Sequence, residues 1–469
     1  MHSLSVFGTT SDSGKSTITL ALCKIFSEMG YSVSPFKAQN MSNNSAVCDD
    51  GSEIGRAQYL QASSIPIKTS YHLNPVLLKP QGNGVSQLVL NGRFNRQIHA
   101  KAYYNEIDTL KPHVINSFEH LKSQYDFVIA EGAGSPVELN LIHRDLSNTF
   151  VADHFNTKIV LVADIERGGV FASIYGTYNL LDDKLKKNVV GVIINKFRGD
   201  ISLFDRGVEI IERDFSIPVL GIVPFAPLNI DMEDSLSIRN YRQNKEKTKI
   251  KVALIQWPHI SNYNDIDPLI VDQEIFIDFI QSYRPLRDYD LILLPGTKTT
   301  ITDLKWLKEI GLFDEIDRVI SAGKTSLFGI CGGYQMMFDV LKDHEGVEND
   351  EKTSEKGLGL IPSEITYSHT KKLKRSIYSL FGYELKAYEI HCGQCENYEL
   401  GYRKGSVQGS HLHGLFENDS FRREYFKGIH PKYHGYPSYQ DLKDQGINDL
   451  AHIIKEHINI DLIVSSLKD

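Results

Sequence analysis

The sequence predicts an α/β protein of two domains, each a mostly parallel sheet with helices on both faces. Three observations carry this. Apolar runs that read as buried strands recur from residue 3 to 225 and again from 251, spaced by helix-length segments. The stretch "IRNYRQNKEKTKIK" at 238–251 is charged, lacks apolar periodicity and divides the two series. At 469 residues the chain also exceeds the usual span of one core. The expected boundaries are a first domain over 1–240, a linker over 241–250, and a second domain over 251–469 that ends in a helical tail.

Taken in order, "SLSVF" (3–7) reads as a strand, and "STITLALCKIFSEMG" (16–30) as a helix with Ile18, Leu22, Ile25 and Met29 on one face. Strands follow in "YDFVIAEGAG" (125–134), "TKIVLVADIERGG" (157–169), "NVVGVIINKFRGD" (188–200) and "IPVLGIVPF" (217–225). Ligands of such sheets gather at the strands' carboxyl ends, where Glu131, Asp164 and Asn195 fall. Residues 35–62 and 72–93 read as polar loops broken by a helix that starts near Gly55. In the second half "KVALIQWP", "DLILLPGTKTT" and "TSLFGICGGYQMM" are strands, and shorter strand-like pieces follow residue 355. "LAHIIKEHINIDLIVSSL" (450–467) reads as one amphipathic helix.

The net charge of −8 provides no general basic surface, which argues against nucleic acid or anionic membrane as partners. No apolar run has membrane-spanning length and the start lacks a signal-peptide pattern, so a cytoplasmic protein is expected. The five cysteines are then read as thiols.

"SVFGTTSDSGKST" (5–17) is a glycine-rich phosphate loop between a strand and a helix, with five residues rather than four between Gly8 and Gly14. Backbone N–H groups around Gly8, Thr9 and Gly14 can face an anion, Lys15 adds a point charge, and Ser16 or Thr17 can ligate magnesium. Partition-type ATPases carry a signature lysine where this chain has Thr10. The five-residue gap and "EGAGSP" after a strand resemble dethiobiotin synthetase and its relatives, which phosphorylate carboxylates.

"FGICGGYQMM" places Cys331 in a tight Gly-x-Cys-x-Gly elbow between a strand and a helix, a geometry that exposes a nucleophile and favours its thiolate. A thiolate needs a base, and "SHLHGLF" offers His411 and His413. This half resembles the class I glutamine amidotransferases. That resemblance implies Cys331 as nucleophile, His413 as base, and an oxyanion hole at Gly296 and Thr297 of "LPGTK". The common triad acid, two residues past the histidine, is replaced by Leu415; Glu417 is the nearest substitute. "HCGQC" (391–395) could pass for a zinc half-site, but no second Cys-x-x-Cys accompanies it. "AYEIHCG" instead resembles the cobyrinate-type branch of these amidotransferases.

"FKAQNMS", "EIGRAQ", "NPVLLKP", "VADIERGGVFAS", "NKFRGD" and "YEIHCG" together resemble the adenosylcobyric acid synthase family over nearly the whole chain. The resemblance implies an ATP-dependent, glutamine-hydrolysing ligase of cobalamin biosynthesis. Such an enzyme amidates the b, d, e and g carboxylates of adenosylcobyrinic acid a,c-diamide through acyl phosphates. The cofactors implied are ATP and Mg2+ and the partners glutamine and a corrinoid; a homo-oligomer is left open. By the same resemblance Gly8, Thr9, Gly14, Lys15, Ser16, Thr17 and Asn195 bind ATP, with Asn195 reading adenine. Ser16, Glu53 and Glu131 ligate magnesium, and Lys37, Gln39, Asp164 and Arg167 meet substrate. The competing readings are cobyrinic acid a,c-diamide synthase, which carries a different segment after its loop, and a nucleotide-dependent glutamine-sensing switch, for which an intact Cys331 elbow would be superfluous.

Overall fold

Ser3–Gly8 is buried along its whole length, the signature of a central parallel strand covered on both faces. In the computed structural model, which describes residues 3–82, 84–226, 248–348 and 352–468, it lies in a six-stranded sheet. Across that sheet the order is Val219–Pro224, Val189–Phe197, Lys158–Asp164, Ser3–Gly8, Phe127–Glu131, Val33–Phe36, and every neighbouring pair is parallel. The register sets Val6 beside Glu131 and Asp164 beside Asn195, so the carboxyl ends of these strands share one edge with the loop after Gly8. Helix Lys15–Glu28 starts from that loop and buries Ile18, Leu22 and Ile25. Met29, expected on the same face, lies one residue past the helix and is 38% exposed.

The second domain repeats the principle. Ile275–Ile280, Ile250–Ile255, Leu291–Leu294, Ser326–Ile330 and Val407–Ser410 are parallel neighbours, and Gly401–Lys404 closes the edge antiparallel. The α/β architecture expected of both halves is therefore present. Of the expected linker, 241–247 lies outside the described residues, and Ile250 already belongs to the second sheet.

A region read as polar loops is ordered sheet, and the short pieces expected after residue 355 are longer strands. Gln39–Met41, Val76–Gly82, Val85–Leu90 and Arg93–His99 form a four-stranded sheet over a separate core that includes Phe36, Ile54, Leu78 and Phe118. After residue 355 the chain forms a long hairpin, Ile361–Leu380 with Tyr383–Gln394. Its two-residue turn, Phe381 and Gly382, has positive φ at both positions, which suits the twist of a tight hairpin. Runs such as "KKLKRS" hid the strand's length, because much of it is solvated on both faces.

The tail departs from expectation more sharply. It is two helices, Tyr439–His457 and Ile460–Lys468, and it does not complete the second domain. Ile447, Leu450, Ile454, Ile463 and Leu467 pack with Leu4, Ile18, Leu22 and Val160 of the first domain's core. The break between the helices docks on that domain's edge strand, where Asn459 N–H donates to the Leu220 carbonyl at 2.8 Å. Gly221 permits this approach: a Cβ there would sit 1.8 Å from the His457 carbonyl oxygen. Among the described residues no helix is long and apolar enough to cross a membrane.

The domains meet through the segment at 44–56. Ser45 N–H donates to Asn262 Oδ1 at 3.0 Å, and Tyr263 N–H donates to Asn44 Oδ1 at 3.3 Å. Arg375 Nε donates to the Val47 carbonyl at 3.1 Å, and Val47 packs against Tyr388 and Ile390.

Candidate active site

The first-domain loop gathers buried polar groups. Thr9 and Ser13 bury hydroxyls that have no hydrogen-bond partner among the described residues. A Cβ on Gly8 would collide with Ser13 Oγ, Lys15 Nζ and the Thr10 carbonyl, all within 2.7 Å, so only glycine fits inside this turn. Lys15, 7% exposed, donates to the Thr10 carbonyl at 3.2 Å, and Thr17 faces solvent. Orphaned hydroxyls, a curled backbone and a lysine at a helix start fit a phosphate chain.

Glu131, at the end of its strand, gathers the polar side chains around it. Ser16 Oγ donates to Oε1 at 2.7 Å, Lys37 Nζ to Oε1 at 2.6 Å and Gln61 Nε2 to Oε2 at 2.8 Å. Burial would raise its pKa, but Lys37 and the bonds from Ser16 and Gln61 hold it below the usual carboxylate range. Adjacent hydroxyl and carboxylate oxygens at Ser16 and Glu131 suit a hard cation. Gln39 contacts Ser147 through its backbone.

The remaining first-domain candidates brace the loop. Asn195 Nδ2 donates to the Ser13 carbonyl at 2.8 Å. Asp164 accepts from Lys196 Nζ at 2.9 Å, and that ammonium also donates to the Asp12 carbonyl at 2.5 Å. Arg167 Nη2 reaches Asp12 Oδ2 at 3.1 Å from a largely exposed side chain.

Glu53 does not join Ser16 and Glu131, contrary to expectation. It is fully buried and accepts from Ser45 Oγ at 2.9 Å, Lys79 Nζ at 2.8 Å and Lys371 Nζ at 2.6 Å. Both of its oxygens are taken by cations and a hydroxyl, which leaves none for a metal. Burial opposes ionisation, yet the two ammoniums hold the carboxyl far below its usual range. Lys371 comes from the second domain, so Glu53 is part of the domain contact.

In the second domain Cys331 follows the strand Ser326–Ile330 in a left-handed conformation, φ 49° and ψ −107°, and starts the short helix Gly332–Gln335. Non-glycine residues adopt such φ only where surrounding structure enforces it. Here the close packing of Gly333 on the Leu294 carbonyl and of Gly332 on Thr297 leaves no room for side chains on either. Cys331 and His413 line one pocket.

The acid missing from sequence position 415 is supplied by a different loop. Asp265 Oδ2 accepts from His413 Nδ1 at 2.6 Å, and Asp265 Oδ1 accepts from the Gly414 N–H at 2.7 Å. Burial alone would lower the imidazole's pKa, but the charges of Asp265 and Cys331 raise it to about 10. With Nδ1 bound to Asp265, the imidazole's other nitrogen is left for Cys331, whose side-chain hydrogen bond adds to that rise. Glu417 takes no part, because it pairs with Arg56 across the domain boundary at 3.4 Å. His411 is neutral, its pKa driven well down by burial, and stacks on His391. Asp265 lies in "NYNDIDP", where two aspartates and two asparagines crowd together and no spacing singles one out.

Thr297 N–H hydrogen-bonds no group among the described residues and lies 3.0 Å from where a Gly332 Cβ would be, beside Cys331. Gly296 abuts His413, whose Cε1 is 3.2 Å from its hypothetical Cβ. Both expected oxyanion positions therefore border the Cys331 pocket. Among the described residues no cluster of metal-binding side chains includes Cys392 or Cys395.

Residues 4–235 match the CobQ/CobB/MinD/ParA nucleotide binding domain, and residues 251–421 match the CobB/CobQ-like glutamine amidotransferase domain. The chain is 48% identical to a cobyric acid synthase of Acinetobacter baylyi, with 100% of both chains covered. It is 40% identical to the cobyric acid synthase of Anoxybacillus flavithermus, over 97% of this chain and 95% of that one. Against that of Geobacillus thermodenitrificans the identity is also 40%, over 98% and 97%.

Proposed function

We propose, from the premise that this chain belongs to the cobyric acid synthase family, that it carries out glutamine-dependent amidation of four corrinoid carboxylates at the expense of ATP. The b, d, e and g carboxylates of adenosylcobyrinic acid a,c-diamide would each become an amide, giving adenosylcobyric acid. The single observation that carries the reading is the Cys331, His413 and Asp265 array in a pocket partly walled by Lys79 and Gln87 of the nucleotide domain.

His413 Nε2 takes the thiol proton, and the Cys331 sulfur attacks the side-chain carboxamide of glutamine. The N–H of Thr297 faces the oxygen on which negative charge develops. His413 then returns the proton to the departing nitrogen, which leaves as ammonia, and water cleaves the thioester to glutamate. Asp265 holds the imidazole in the tautomer with Nε2 free and stabilises its charged form. In the first domain a corrin carboxylate takes the terminal phosphoryl group of ATP, ammonia displaces phosphate, and the amide forms. Lys15 balances charge at the phosphates, while Lys37 sits ready for the acyl phosphate. Mg2+, held by Ser16 and Glu131, would neutralise phosphate charge.

Incubation with glutamine, ATP and magnesium, followed by mass spectrometry of the corrinoids, tests the reading. Conversion of the a,c-diamide by four successive amidations is expected. Cys331→Ala should lose glutamine use and keep amidation with free ammonia, whereas Lys15→Ala should lose both. Amidation of cobyrinic acid without conversion of the a,c-diamide would refute the assignment in favour of the earlier diamide synthase.

A further inference from the structure

The pocket beside Cys331 holds two polar groups that neither the catalytic array nor the domain contact uses. One is Lys298, the residue after Thr297, whose ammonium forms no ion pair among the described residues. Its cationic neighbours Lys79 and Lys371 are already committed to Glu53. The other is Gln87, which enters from the first domain, paired in register with Lys79 across an antiparallel ladder. The residue is 2% exposed, and among the described residues its Oε1 has no hydrogen-bond partner. A buried amide oxygen left unpaired is costly, so its natural complement is a donor on a ligand.

The ligand of this pocket has such groups. With the carboxamide of glutamine at Cys331, the far end of the molecule presents an α-carboxylate and an α-ammonium. We propose that Lys298 and Gln87 bind the amino-acid head of glutamine, Lys298 at the α-carboxylate and Gln87 Oε1 at the α-ammonium. This rests on the glutaminase reading above and adds to it that the nucleotide domain supplies part of the glutamine site. The glutamine site is then complete only while the two domains are joined. An amide without the amino-acid head lacks both contacts.

Two alkylating reagents separate head recognition from thiol reactivity. Iodoacetamide has no amino-acid head: the Cys331 thiolate forms a carbon–sulfur bond and iodide leaves. A glutamine analogue with a diazomethyl ketone in place of its carboxamide carries the full head. A proton from His413 goes to the diazo carbon, sulfur bonds to that carbon, and dinitrogen leaves. Labelling of Cys331 is followed by mass spectrometry in the full-length protein, in Gln87→Leu and in Lys298→Met.

The expected result is that each substitution slows labelling by the glutamine analogue about tenfold or more, as befits loss of a hydrogen bond to a charged group. Iodoacetamide labelling stays unchanged. Equal labelling by the analogue in all three proteins overturns the proposal, as does an equal fall with both reagents. A wild-type Cys331 that the analogue fails to label would sink the glutaminase reading beneath it.

Discussion

Replacing Asp265 by asparagine tests how His413 works without the usual acid. The His413 to Asp265 contact is 2.6 Å, between side chains that are 1% and 3% exposed, so solvent does little to screen it. The imidazole's pKa rises from 6.5 to about 10, which at about 1.4 kcal/mol per unit favours the imidazolium by roughly 5 kcal/mol. Asp265 is the larger of the two attractive charges, Cys331 the other. Assigning it about half, roughly 2–3 kcal/mol, predicts that Asp265→Asn lowers glutaminase turnover on the order of 100-fold. The assay is glutamate release with glutamine saturating, alongside amidation driven by free ammonia, which should persist. Glu417→Gln should leave glutamate release intact, since that carboxylate serves Arg56. The pH dependence has a definite sign. A histidine whose folded pKa is raised contributes stability fully present below its unfolded value near 6.5, and that stability is lost as pH rises through about 10. In Asp265→Asn this loss at alkaline pH should shrink markedly. An asparagine variant that releases glutamate at close to the wild-type rate would refute the role given to Asp265.

Two further perturbations probe stability. Gly221→Ala should drive the tail off the first domain, because its Cβ would meet the His457 carbonyl at 1.8 Å and φ is +152°; limited proteolysis should then cut near 458 in the variant and spare the wild type. Glu348 is held near pKa 7 by burial, although it accepts backbone N–H bonds from Thr300 and Ile301. The folded carboxyl therefore binds its proton more tightly than the unfolded one, and stability should fall by up to about 3 kcal/mol as pH rises from 4.5 to about 7. Urea melts of Glu348→Gln across that range should show a flatter profile; an unchanged decline would place its origin elsewhere.

Much of this was legible in the sequence because it rests on local patterns. A strand followed by a glycine elbow announces both the phosphate loop and Cys331, since sterics there depend on neighbours in the chain. Glu131 was singled out because it ends a strand, where a parallel sheet collects its ligands. Asp265 was not, because it comes to His413 from a loop 148 residues away and depends on how two strands of the sheet are ordered. The tail was placed on the wrong domain for a related reason. Its amphipathic pattern shows that a face is buried but carries no information about which core buries it. The sheet of Gln39–Met41, Val76–Gly82, Val85–Leu90 and Arg93–His99 was hidden by short strands and by polar side chains such as Lys79 and Gln87 at buried positions.

Glu53 shows how a correct expectation of importance can attach to the wrong chemistry. One buried carboxylate between two buried ammoniums leaves a net positive charge, and burial pushes Lys79 down to about 8 even beside its partner. Such a cluster is costly to assemble, and removing one member leaves the others worse off. Lys371 is the member supplied by the second domain, so drawing the domains apart would strip Glu53 of a partner at 2.6 Å. The helix Arg56–Ser63, only three residues further along, carries Gln61, which binds Glu131 at 2.8 Å beside the phosphate loop. Nine residues thus touch the glutaminase pocket's lysines at one end and the nucleotide site's carboxylate at the other. One short segment, buried over most of its length, therefore spans the distance between the two.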